Sequence, residues 1–171
     1  KTNYCIPATH HHPGIVVADF DGDGALDVLL PSLHPVLLMN DGHGRFRDAT
    51  AGSGLDLLPP AEAAGGVAAD LDGDGRPEIF LTYAYSACRL LHGEGGGKFR
   101  DVTAESGLAG LTGTYTSAVL FDADRDGRLD LFVANYGDAR ATGPAYSGKN
   151  GPGSRFFRQV GAIERQLDLL E

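Results

Sequence analysis

Three segments of the chain repeat one text at a fixed interval. VVADFDGDGALDVLL (16–30) is answered by VAADLDGDGRPEIFL (67–81) and AVLFDADRDGRLDLFV (118–133). Their leading acids are Asp19, Asp70 and Asp122, spaced 51 and 52 residues apart. A second landmark travels with the first: GRFRDATAGSGL (44–55) matches GKFRDVTAESGL (97–108) at an interval of 53. Two independent landmarks at one period define a repeat architecture, in which each unit is one supersecondary piece and its neighbours complete its core.

Each unit has the same internal grammar. An apolar run such as Ile15, Val16, Val17 and Ala18 leads into the acidic loop, and a second run follows at once (26–30, or 129–134 in the third unit). A third run (36–39, 89–91) ends in a Gly-rich turn, NDGHG or HGEGGG, before a short RFRDAT or KFRDVT segment. Short runs bounded by Gly, Asp and Asn read as strands joined by tight turns. Four strands in about 50 residues is the arithmetic of one β-propeller blade, so the expected fold is all-β. Small residues precede or open each first strand (Gly14; Gly65 and Gly66; Ser117 and Ala118), which fits convergence on a propeller axis. With 25 glycines in 171 residues, turns dominate over long helices.

The divisions expected are a lead segment 1–13 and repeats at 14–55, 65–108 and 116–160, the last carrying a long loop at 136–154. A tail at 161–171 reads as an amphipathic helix, with Ile163, Leu167 and Leu170 at helical spacing. It would cap an open sheet edge, or else represent a distant piece of a longer protein.

The acids fall at positions 1, 3, 5 and 9 of each loop, with Gly24, Gly75 or Gly127 at position 6. Like charges this close repel unless something compensates them. Oxygens at that spacing are the ligand set of a hard divalent cation. Calcium, which accepts 6–8 oxygens in flexible geometry, fits a bent loop better than magnesium does. The expected ligands are Asp19, Asp21, Asp23 and Asp27; Asp70, Asp72, Asp74 and Glu78; and Asp122, Asp124, Asp126 and Asp130. At position 7, Ala25, Arg76 and Arg128 would each add a backbone carbonyl. That makes about three Ca²⁺, one per repeat, pinning strand-to-strand turns. An EF-hand is excluded twice: position 12 is Leu30, Leu81 or Val133 rather than Glu, and strand-like runs flank the loops. The plainer alternative is solvated acidic turns.

The formal charge of −9 speaks against nucleic acid as a partner. The three loops hold 12 of the 23 acids, so three dications would bring −9 to −3, and acidity says little more about partners. No apolar run approaches the 18 residues of a membrane span. Cys5 and Cys88 suffice for one disulfide in an exported chain, the alternative being two unpaired thiols. The start at Lys1, mid-pattern, leads us to expect a processed or partial product.

The segments ADFDGDGALD, ADLDGDGRPE and FDADRDGRLD, with LLMNDGHGRFRDAT-like text after them, resemble FG-GAP/VCBS repeats, the propeller repeats related to integrin α-subunits. The FRDVTAESGL ending is similar to the secreted branch that includes cartilage acidic protein and bacterial ASPIC/UnbV proteins. The resemblance covers about residues 14–160. It implies a calcium-bound propeller of seven or eight blades, extracytoplasmic (secreted, periplasmic or at the cell surface), serving adhesion or binding. The ligand would be a protein or a glycan. Two departures stand out. Three units cannot close a ring, so blades come from the rest of a longer chain or from partners. The third unit replaces the GxFRDxT ending with RFFRQVG and the tail.

Other features carry less. Cys5 and His10, His11 and His12 (YCIPATHHHPG) include metal-ligating types, but adjacent residues of an extended chain point apart, so exposed loop histidines are expected. In the 136–154 loop, Tyr136, Arg140, Tyr146 and Lys149 offer an aromatic and basic surface, with simple insertion or disorder as the alternative. GEGGGK (93–98) lacks the P-loop spacing and opens a strand. No catalytic motif is present, so a non-enzymatic binding or scaffold module is expected. The rivals are a propeller of the polysaccharide-lyase kind and an accessory subunit docked on a larger membrane-associated complex.

Overall fold

The expected short strands form, in the expected order. The computed structural model describes residues 14–111 and 113–135, and the backbone of two short strands beyond them. The first sheet is β1 (Val16–Ala18), β2 (Asp27–Leu30), β3 (Val36–Asn40) and β4 (Phe46–Asp48). The second is β5 (Ala63–Ala69), β6 (Glu78–Tyr83), β7 (Arg89–Gly95) and β8 (Lys98–Asp101). The third is β9 (Tyr115–Phe121), β10 (Asp130–Asn135), β11 (Arg155–Phe157) and β12 (Gln166–Leu167). Every sheet is an antiparallel four-stranded meander in chain order. Among the described residues the helical content is one 3-10 turn at Leu55–Leu57, and no helix is long and apolar enough to cross a membrane.

One register recurs in all three sheets. The residue after each position-9 acid pairs with the third strand, and that partner pairs with the fourth. The triplets are Val28, Leu38 and Asp48; Ile79, Leu91 and Asp101; and Leu131, Phe157 and Gln166. The expected helix at 161–171 is therefore corrected where the structure describes it: Gln166 and Leu167 are strand, hydrogen-bonded to β11. The open edge of β11 offers a row of unpaired backbone groups, and satisfying them outweighs a short amphipathic period. The rest of that tail, the lead segment with Cys5 and the three histidines, and the 136–154 loop lie outside the described residues.

The middle sheet shows why the units need one another. All six residues of β6 are buried, and their period-2 alternation divides them between two cores. Ile79, Leu81 and Leu91 face the first sheet with Val16, Leu29, Leu37 and Met39. Phe80 and Leu90 face the third with Tyr115, Leu131 and Val133. The inner strands sit side by side, β5 against β1 on one flank and β9 on the other. Gly66 makes that approach possible: a Cβ there would lie 2.9 Å from the Phe80 carbonyl oxygen and 3.1 Å from Val16 Cγ2.

The FRDxT text folds as a latch. Thr50 and Thr103 donate backbone N–H groups to Asp48 (2.9 Å) and Asp101 (3.0 Å). Their hydroxyl oxygens accept the N–H of Leu37 and Leu90 on the third strand (2.9 and 3.0 Å). The chain leaving the fourth strand is thus tied to its neighbour. In the third sheet, Gln166 holds the register position of the latch aspartates.

Candidate metal centres

Each acidic loop joins the first strand of a sheet to the second, so the three lie at equivalent places. The position-1 carboxylate organises each loop. Asp19 accepts the N–H of Gly22 (2.8 Å) and Gly24 (2.9 Å), and Asp70 accepts those of Gly73 (2.7 Å) and Gly75 (2.9 Å). Asp122 accepts those of Asp126 (3.1 Å) and Gly127 (2.9 Å). The position-5 carboxylate accepts the N–H of position 7: Asp23 from Ala25, Asp74 from Arg76, and Asp126 from Arg128, at 2.7–2.9 Å. Position 7 thus meets the position-5 carboxylate through its N–H in all three loops, and Arg76 also brings its guanidinium to 3.8 Å from Asp74. Position 4 is left-handed, with φ 83° at Gly22 and 82° at Gly73, and Arg125 adopts φ 63° there in the third loop. It is the one non-glycine with positive φ among the described residues, which places real strain in the third loop.

The position-9 acid behaves differently from the others. Asp27, Glu78 and Asp130 are 0%, 4% and 1% exposed. Each reaches back across seven residues to accept the N–H of position 2: Phe20 (2.8 Å), Leu71 (2.8 Å) and Ala123 (2.9 Å). The second oxygen of Asp27 accepts the Asn40 N–H at 2.8 Å, and that of Glu78 meets the Gly93 N–H at 3.3 Å. Asn40 and Gly93 are register equivalents on β3 and β7, facing Phe46 and Phe99. A buried carboxylate is tolerated only when paired or ligating. Here backbone donors hold it in place with its charge directed at the loop.

The acids converge in trios whose ligand atoms all lie within 4.8 Å of one another. These are Asp19, Asp21 and Asp27; Asp70, Asp72 and Asp74; and Asp122, Asp124 and Asp130. Asp23, Glu78 and Asp126 stand outside the trio of their own loop. The electrostatics reflect the crowding. Burial raises Asp21 above the usual carboxylate range, and the charges of Asp27, Asp23 and Asp19 push the same way. Burial likewise raises Glu78, against hydrogen bonds from Leu71, Gly93 and His92 that lower it. A hard dication would relieve this repulsion, and all-oxygen donors at these separations fit Ca²⁺.

One neighbour escaped the sequence reading. His92, on β7, brings Nδ1 to 2.9 Å from Glu78 Oε1 and 3.5 Å from Asp72 Oδ2. It lies outside the loop text, and only the pairing of β6 with β7 brings it there.

Residues 70–133 match the family model described as FG-GAP-like repeat. Over 163 residues the chain is 28% identical to cartilage acidic protein 1 of Mus musculus and 28% identical to that of Homo sapiens. The alignments cover 88% of this chain, and 25% and 24% of those proteins. The chain thus spans about a quarter of the length of the curated relatives it matches.

Proposed function

From a chain that carries FG-GAP-like repeats and is similar to cartilage acidic protein 1 over most of its own length, we propose a calcium-stabilised stretch of an extracytoplasmic β-propeller. It serves as a binding, adhesion or scaffold module for a protein or glycan, without catalysis. The repeats at 14–55, 65–108 and 116–160 are its blades. Loop residues at positions 1, 3, 5 and 9 hold one Ca²⁺ per blade, with the position-7 carbonyls completing the set. The ions are structural and pin the inner strand to the second strand of each blade.

The observation that carries this reading is the position-9 carboxylate, buried in all three loops and held by backbone donors beside exposed or half-buried acids. Such a placement is costly for a decorative charge and useful for a ligand. Further blades are supported by the outer faces of the set. Val17, Val119 and Phe121 are 51%, 47% and 41% exposed on strands whose opposite faces are packed.

Calorimetric titration of chelator-stripped protein tests the proposal. About three equivalents of Ca²⁺ are expected, with a rise in melting temperature. At free Ca²⁺ of 100 times Kd, each site adds about 2.7 kcal/mol to the folded state. No uptake together with an indifferent melting temperature defeats the calcium reading. Turnover of uronic-acid polymers would instead favour the lyase-like alternative.

A further inference from the structure

The second loop departs from the other two in its position-9 residue and in what that residue meets. In the first and third loops the position-9 aspartate gathers with positions 1 and 3. Glu78 is one methylene longer, and it gathers instead with Asp72 and with His92 on β7. The same register position in the first sheet is Met39, which faces Arg47 as His92 faces Arg100. Met39 is 2% exposed and packs in the apolar core. The imidazole is thus an addition that the first sheet lacks at this register position.

An imidazole nitrogen changes what the cluster prefers. All-oxygen sets suit Ca²⁺, whereas nitrogen beside carboxylates suits Zn²⁺ and its neighbours. Resting on the reading of this segment as a cation loop, we infer that Asp72, Glu78 and His92 form a site for a divalent transition metal of the Zn²⁺ class. It lies beside the all-oxygen trio Asp70, Asp72 and Asp74 and shares Asp72 with it, so in this second loop the Ca²⁺ is left to that trio and Glu78 turns to the transition metal. The separations are of the right size. Tetrahedral bonds of about 2.1 Å put neighbouring ligand atoms about 3.4 Å apart, and His92 Nδ1 stands 2.9 Å and 3.5 Å from its two partners. Glu78 is held by the N–H groups of Leu71 and Gly93, and such outer hydrogen bonds orient a ligand before the metal arrives. Three protein ligands leave the remaining coordination to water.

The test uses chelator-stripped chain titrated with Co²⁺, whose visible bands report nitrogen and oxygen ligation, in the presence of millimolar Ca²⁺. One equivalent of Co²⁺ with a ligand-field spectrum is expected, displaced by one equivalent of Zn²⁺. His92→Gln removes the band and weakens Zn²⁺ retention at least tenfold. His43→Gln, an exposed turn histidine, leaves the band intact. Zn²⁺ should also raise the melting temperature of the wild type but not of H92Q, a readout that holds if the variant is itself less stable. A band that survives H92Q, or vanishes equally in H43Q, overturns the site and leaves a His–Glu hydrogen bond. A parallel Ca²⁺ titration separates the two readings. Calcium uptake without the Co²⁺ band sinks this inference alone, and the band without calcium uptake sinks the calcium reading alone.

Discussion

The Asp27 carboxylate accepts the backbone N–H of Phe20 at 2.8 Å, closing the first acidic loop from beneath with a group fully shielded from solvent. The bond recurs between Glu78 and Leu71 and between Asp130 and Ala123. The ninth residue therefore has two tasks, one of which needs no ion. It closes the loop base, and it supplies charge.

The two tasks can be separated. Asp27→Ala leaves the N–H groups of Phe20 and Asn40 without their acceptor. Each unpaired donor costs about 1–3 kcal/mol, so a loss of about 2–6 kcal/mol is expected even in excess chelator. Asp27→Asn keeps an acceptor and should lose less than the alanine variant under those conditions. Urea denaturation in chelator measures both. An alanine variant as stable as wild type would refute the closing role.

The equivalent glycines Gly54 and Gly107 make a paired prediction about the junction between the first and second sheets. Both are left-handed, with φ 89° and 74°. A Cβ on Gly54 would lie 2.1 Å from the Phe99 carbonyl oxygen, whereas one on Gly107 meets nothing within 4 Å. Phe99 is fixed here by its own N–H bond to Ser53 (2.8 Å) and by edge-on contact with Phe20 at 5.6 Å. Gly107→Ala should cost about 1–2 kcal/mol for the backbone alone. Gly54→Ala adds a clash of about 1–3 kcal/mol. Equal losses for the two variants in denaturant titrations would contradict the packing described for that junction.

The latch at Asp101 predicts an acid-limb effect. Burial by itself raises this carboxyl, but hydrogen bonds from the Thr103 hydroxyl and N–H and from Arg89 outweigh it, and the net shift is downward. A carboxyl lowered on folding contributes stability above its unfolded value, near pH 4, and loses it as pH falls through the folded value. Asp101→Asn should therefore flatten the decline in stability below about pH 4 while lowering stability at neutral pH. Parallel acid limbs for variant and wild type, measured in chelator, would show that the latch carries no such linkage.

Much of this was legible because the repeat doubles every observation. Strand order, the acidic loops and the small residues at the first strands follow from text that recurs at one period. What the text withheld are relations between strands. His92 reaches Glu78 only through the register of β6 on β7. The reason FRDxT recurs is a hydroxyl that caps the third strand, which no local propensity announces. The tail misled because Leu167 satisfies a helical period, while the unpaired edge of β11 exerts a stronger demand. The burial of Asp27, Glu78 and Asp130 was equally hidden, since a loop acid is ordinarily exposed.

Cys88 closes the set of predictions. Its thiol is 0% exposed, packed with Phe80, Leu90, Leu108, Leu111 and Tyr115, and its own N–H is tied to the Leu111 carbonyl at 3.0 Å. It is a free thiol in the structure. Burial pushes its pKa from 9.0 up to about 12. The thiolate is the reacting species, so the shift alone removes about a thousandfold of its population at pH 8, and steric shielding adds to that. Iodoacetamide at pH 8, followed by peptide mapping, should leave Cys88 unmodified in native protein and label it fully in denaturant. Labelling would then track opening of the core between the second and third sheets. Alkylation of native Cys88 at the rate of a free thiol would mean that this core is not closed as described.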